Sequence, residues 1–149
     1  MDIETFSVMG ITVRTINEKG KFDVDIPKLW TQFFAEKIIE KIPNKSDSAI
    51  YCVYTDYESD FTKFYTVLLG CRVNHLDVIP MGLTGKIVLG GSFKKFIAKG
   101  DPKQGAVYSE WVKIWNSDLN RQYSTDFEVY DGKSQDLKDP QVDIFIAIK

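Results

Sequence analysis

The chain has 149 residues, enough to bury a core in one domain without disulfide staples. Its composition, 44% hydrophobic and 27% charged, excludes a disordered chain, and a formal net charge of −2 with no run of basic residues excludes the electrostatic footprint of a direct nucleic-acid binder. No apolar run approaches the ~20 residues of a membrane span, Met1-Asp2-Ile3-Glu4 has no signal-peptide core, and Cys52 and Cys71 make no disulfide framework, so the expectation is a cytoplasmic protein with no membrane association.

Phe6 to Ile16 alternates β-branched and polar residues and predicts a strand. A helix is expected from about Asp25-Ile26-Pro27, capped by Asp25, to Pro43. Its apolar stripe is Ile26, Leu29, Trp30, Phe33, Phe34, Ile38 and Ile42, at three- and four-residue steps. Ala49 to Tyr57 and Phe64 to Val73 read as an antiparallel hairpin. A connector holding Pro80, Gly82, Gly85, Gly90 and Gly91 follows. The order then repeats: a strand over Ser92 to Lys99, a helix over Lys103 to Leu119, a strand over Thr125 to Asp131, a turn-rich link from Gly132 to Pro140, and a last strand over Gln141 to Lys149.

The expected fold is α+β, in one domain over residues 1–149. Two βαββ units, about 1–80 and 81–149, are related by a pseudo-twofold axis, with a mostly antiparallel sheet and two main helices. A seam between such halves is a favoured place for a ligand pocket. Alternation along Phe127-Glu128-Val129-Tyr130 puts Glu128 and Tyr130 on one face. The repeat puts Cys52 and Tyr54 on the corresponding face of the first half. On the last strand, Val142, Ile144, Ile146 and Ile148 face one way and Asp143, Phe145 and Ala147 the other. If the aliphatic set meets the helices, then Glu128, Tyr130, Tyr54 and Phe145 gather on the opposite side, a carboxylate among rings. A carboxylate there is costly to ionise until a cation enters, and rings add cation–π attraction of ~0.5–2 kcal/mol each.

Ile26 to Trp30 (IPKLW), Ile50 to Asp60 (IYCVYTDYESD), Phe93 to Gly100 (FKKFIAKG), Trp111 to Trp115 (WVKIW) and Phe127 to Tyr130 (FEVY) followed by Val142 to Lys149 (VDIFIAIK) resemble the GyrI-like family. These are the effector-binding domains of AraC- and MerR-type multidrug regulators, with stand-alone versions such as integron-associated effector-binding proteins. The resemblance implies a duplicated βαββ fold and a central pocket for lipophilic, often cationic compounds. It implies that Glu128 is the pocket acid, that Phe145 sits where relatives often carry an aromatic residue beside it but lacks the hydroxyl that some have, and that Trp111 and Trp115 are the helix-two tryptophans.

The candidate ligand-binding residues are therefore Glu128, Tyr54, Trp111, Trp115, Tyr130 and Phe145, with no metal site, no cofactor and no assigned catalytic residue. His75 has no nucleophile motif near it, and the glycines of the connector form no phosphate loop. Asp56, Glu58 and Asp60 read as a solvated turn rather than a metal site. The leading expectation is a binding module that senses or sequesters a small lipophilic, cationic or amphiphilic molecule. The alternative, drawn from the resemblance, is a hydrolase of reactive small molecules with Glu128 as general base. A protein-interaction role of the gyrase-inhibitor type stands third. No helix-turn-helix fits before Phe6, so control of transcription requires a DNA-binding partner protein; self-association stays open.

Overall fold

Helices cover one face of an eight-stranded, wholly antiparallel sheet in the computed structural model, which describes residues 1–136 and 138–149. The elements are β1 (Asp2–Ile3), β2 (Phe6–Thr15), α1 (Phe22–Ala35), α2 (Ile38–Lys41), β3 (Ile50–Thr55), β4 (Tyr65–Val73), β5 (Thr84–Val88), β6 (Gly91–Lys99), α3 (Ala106–Trp115), β7 (Thr125–Tyr130) and β8 (Gln141–Ala147). The strand order is β1-β6-β8-β7-β3-β4-β2-β5. Without the two short outer strands it reads the same from either end: β6-β8-β7 mirrors β2-β4-β3, and the halves join through the β3–β7 pair.

Register carries the same symmetry. Cys52 pairs with Leu69 and Leu69 with Ile11; Glu128 pairs with Ile144 and Ile144 with Phe96. Cys52 and Glu128 are thus equivalent positions, and they also face each other across the central pair. At β2 and β4, Gly10 lies opposite Gly70. A Cβ on either would overlap the facing backbone oxygen, of Leu69 or Met9, so no side chain fits where these two strands run closest.

The two sheet faces bury different cores. One is the face away from the helices, where Phe6, Val8, Tyr51, Val53, Phe93 and Phe127 pack together. The other meets the helices: Met9, Leu29, Phe33, Ile38, Ile42 and Leu69 in the first half, Trp111, Ile114, Val142, Ile144 and Ile146 in the second. Tyr54 and Tyr130 touch both of these helix-side clusters.

Four expectations need correction. The first helix begins at Phe22 rather than near Asp25; Asp25 caps nothing, and Pro27 sits inside α1. A proline there removes the N–H that would have bonded one turn back, at Asp23, and its ring crowds that carbonyl. The same helix stops at Ala35, because Lys37 turns left-handed (φ 51°), and α2 resumes after it. The second helix is shorter than Lys103 to Leu119, with a single 3-10 turn at Pro102–Gln104 ahead of Ala106–Trp115. The glycine-rich connector contains β5, which pairs with β2. The link from Gly132 to Pro140 contains a 3-10 turn at Gly132–Gln135; Leu137 within it lies outside the described residues.

Candidate functional site

α1 packs on β2 and β4, and α3 packs on β6. The central β3–β7 pair therefore floors the space between the helices. Ile50 and Tyr54 of β3 and Glu128 and Tyr130 of β7 face into a cavity of about 1290 Å³ there. Trp30 and Phe34 of α1 form one wall, Val107, Trp111 and Trp115 of α3 the other. At its rim, Phe22 stacks on Tyr108 (5.9 Å), and Phe61 stacks on Trp115 (6.0 Å, planes 4° apart). These ring contacts join the two halves across the seam. A smaller cleft of about 230 Å³, lined by Thr5, Ser46, Arg72 and Asn74 among others, lacks such an enclosure of rings.

Glu128 is 1% exposed and accepts three hydrogen bonds. Tyr54 Oη donates to Oε2 at 2.8 Å, Trp111 Nε1 donates to Oε2 at 2.5 Å, and Tyr130 Oη donates to Oε1 at 2.6 Å. None of the donors is charged. No basic side chain among the described residues forms an ion pair with it. Burial pushes the Glu128 carboxyl up from its ordinary value, while the hydrogen bonds from Tyr130, Trp111 and Tyr54 pull it back. Burial likewise holds both tyrosine hydroxyls and the Cys52 thiol well above their ordinary values, so all three stay protonated and neutral.

Rings close around this acid. Tyr54 meets Trp111 edge-on at 5.1 Å, and Trp30 meets Tyr130 edge-on at 4.8 Å. Chemically, the arrangement is an oriented carboxylate with one charge and no internal counter-charge, faced by polarisable surfaces.

Five of the six expected residues meet at this cavity: Glu128, Tyr54, Tyr130, Trp111 and Trp115. Phe145 does not. It lies opposite Phe127 in the β7–β8 register and stacks on that ring at 4.8 Å, in the core on the other face of the sheet. The aliphatic set of β8 does meet the helices, as expected, but Glu128 shares that face with Ile144 and Ile146 instead of lying opposite it, so helices and pocket are on the same side and Phe145 is on the other.

Sequence reasoning missed a second buried acid on that face. Asp126 is fully buried and accepts from Arg121 Nη2 at 2.7 Å, from Tyr57 Oη at 2.6 Å and from the Ala147 backbone N–H at 2.9 Å. The alternation that singled out Glu128 also puts Asp126 on its face, two residues along; that signal was available. Arg121 and Tyr57 line the cavity too.

An antiparallel α+β fold with two main helices and a ring-lined cavity at the centre of its symmetry defines the class of effector-binding domains. The family model described as integron-associated effector binding protein (Cass2) matches residues 1–148, and the chain belongs to that family. Small-molecule binding in general goes with that membership. The chain is 27% identical to the putative transcriptional regulator protein YobU of Bacillus subtilis (strain 168), over all of this chain and 94% of the relative. Among solved structures, an integron cassette protein from the mobile metagenome of Vibrio cholerae superposes with a TM-score of 0.77 at 30% identity, covering 100% of this chain and 94% of that one. The fold also matches SAV2435, a structure bound to tetraphenylphosphonium, with a TM-score of 0.81 at 13% identity, covering 100% and 92% of the two chains.

Proposed function

We propose that the protein binds a lipophilic organic monocation in the cavity over β3 and β7, with Glu128 as counter-charge and Tyr54, Tyr130, Trp30, Trp111 and Trp115 as its aromatic enclosure. The observation that carries this reading is the fully buried Glu128 carboxylate, held by three neutral donors and left without a cation of its own. An unpaired buried charge is costly, and a cation of matching bulk removes that cost. The wide cavity, in which Glu128 is the one buried carboxylate among the lining residues, favours breadth over strict selectivity. The fold neighbour bound to tetraphenylphosphonium supplies the first probe. In the cell the protein would sense or sequester such compounds, and a DNA-binding partner protein is one route by which occupancy would reach transcription.

Isothermal titration of tetraphenylphosphonium tests the reading. One-site saturable binding that weakens about tenfold or more in Glu128→Gln supports it; equal affinity in the two proteins sinks it. The raised Glu128 carboxyl also suits a general base, which gives the hydrolase reading its one support. Both carboxylate oxygens are already engaged by donors, so binding is the favoured role. Mass spectrometry of a panel of electrophiles after incubation, with Glu128→Gln as control, separates the two.

A further inference from the structure

A guanidinium offers five N–H donors, and a buried one that leaves most of them unused is incomplete. Arg121 is in that position. Its side chain is 3% exposed. It spends Nη2 on Asp126, while Nε and Nη1 are buried with no hydrogen-bond partner. Three rings lie around it: Tyr123 at 4.4 Å, Trp111 at 5.8 Å and Tyr57 at 6.0 Å, measured from the guanidinium carbon to each ring centre. Rings attract the charge, but they offer the N–H groups no lone pair.

Arg121 lines the same cavity as Glu128, and the two groups flank one indole. Trp111 donates its Nε1 to Glu128 and presents its ring to Arg121. Their anchoring strand residues, Asp126 and Glu128, lie ~7 Å apart on one face of β7. Tyr123, whose ring lies over the guanidinium, has a left-handed backbone (φ 57°) that is unfavourable for a tyrosine.

The geometry points to a second polar subsite at Arg121, which takes a hydrogen-bond acceptor, best a carboxylate, on the same molecule whose cation rests at Glu128. The preferred ligand class is then amphoteric: an aromatic body with a delocalised or quaternary cation at one end and an acid about one ring away. This rests on the proposed function and narrows it. Glu128 alone selects for positive charge; Arg121 selects, among cations, those that carry an acceptor.

The test uses a matched pair of probes, tetraphenylphosphonium and (4-carboxyphenyl)triphenylphosphonium, titrated into the full chain by calorimetry. In the wild-type protein the acid is expected to bind at least as tightly as the parent. In Arg121→Gln/Asp126→Asn, which removes both members of the ion pair and so leaves no unpaired charge, the acid-to-parent affinity ratio should drop about tenfold with the parent's affinity little changed. A ratio that stays within about threefold overturns the subsite, and means that solvent alone completes Arg121. If the double variant does not fold, the ¹⁵N resonance of Arg121 Nε in the wild-type protein decides. It should move with the acid and not with the parent; identical shifts overturn the proposal. Failure of the parent to bind wild-type protein is a different result, and sinks the cation reading itself.

Discussion

Asp126 and Glu128 stand two residues apart on β7, face the same side of the sheet and are both buried, yet the chain treats them in opposite ways. Asp126 is completed internally by an arginine, a tyrosine and a backbone N–H. It fastens β7 to the segment before it, through Arg121, and to β8, through Ala147. Glu128 has only neutral donors, and its equivalent in the other half is the uncharged Cys52. The duplication thus supplies a symmetric frame, while the charge is placed on one side of it only. A buried acid with an internal cation contributes to structure; a buried acid without one is held ready for something that arrives from outside.

The widest separation between the two acids should appear in stability. Arg121→Met leaves Asp126 buried and unpaired, and should cost about 3–5 kcal/mol in urea or guanidinium unfolding. Glu128→Gln should leave the unfolding free energy of the empty protein unchanged or higher. It should instead cost about 2 kcal/mol or more in binding of tetraphenylphosphonium, close to thirtyfold, by titration calorimetry. If both variants lose stability alike, the distinction between the two acids fails.

The pH dependence sharpens the comparison. The folded Glu128 carboxyl holds its proton more tightly than the unfolded one, because burial raises it. The empty protein should therefore lose stability as pH rises from the ordinary value of 4.5 to the raised folded value, and the loss should persist above it. Asp126 is raised by burial in the same direction, with Arg121 opposing. Glu128→Gln should flatten part of the slope, and a bound cation should flatten the same part. Thermal melts across that range with and without tetraphenylphosphonium check this.

Smaller effects follow. Tyr54→Phe removes one donor to Glu128, which should weaken folding by about 1 kcal/mol at neutral pH and push the carboxyl higher still. Phe145→Leu should leave cation affinity within about twofold, because the residue packs on Phe127 across the sheet, away from the cavity. A larger loss of affinity there would reinstate the role that the resemblance gave it.

Much of this arrangement was legible. Period-two alternation found the six long strands to within a few residues, because each buries at least one face. The pseudo-twofold order followed from the matching sequence of elements. What escaped was set by contacts that local pattern does not carry. β5 hid behind its glycine, which reads as a breaker, although a Cβ at Gly85 would meet only the movable side-chain ends of Ile79 and Leu76 and the strand is set by its pairing with β2. Phe145 was misplaced because alternation divides each strand into two faces but does not say which face of β7 continues which face of β8. The register, Phe145 opposite Phe127 and Ile144 opposite Glu128, decides that, and register is a tertiary property. Arg121 lies outside any named strand, in an isolated bridge to Ile148, and nothing in its neighbourhood of sequence marks it as buried.

The cavity lining has a practical consequence. The chain has three tryptophans, and Trp30, Trp111 and Trp115 all line this one space: wall, floor contact and mouth. No indole elsewhere contributes background, so the native emission of the unlabelled protein is a built-in optical gauge of occupancy. Single-tryptophan variants would separate what happens beside Glu128 from what happens at the entrance, without attaching any dye.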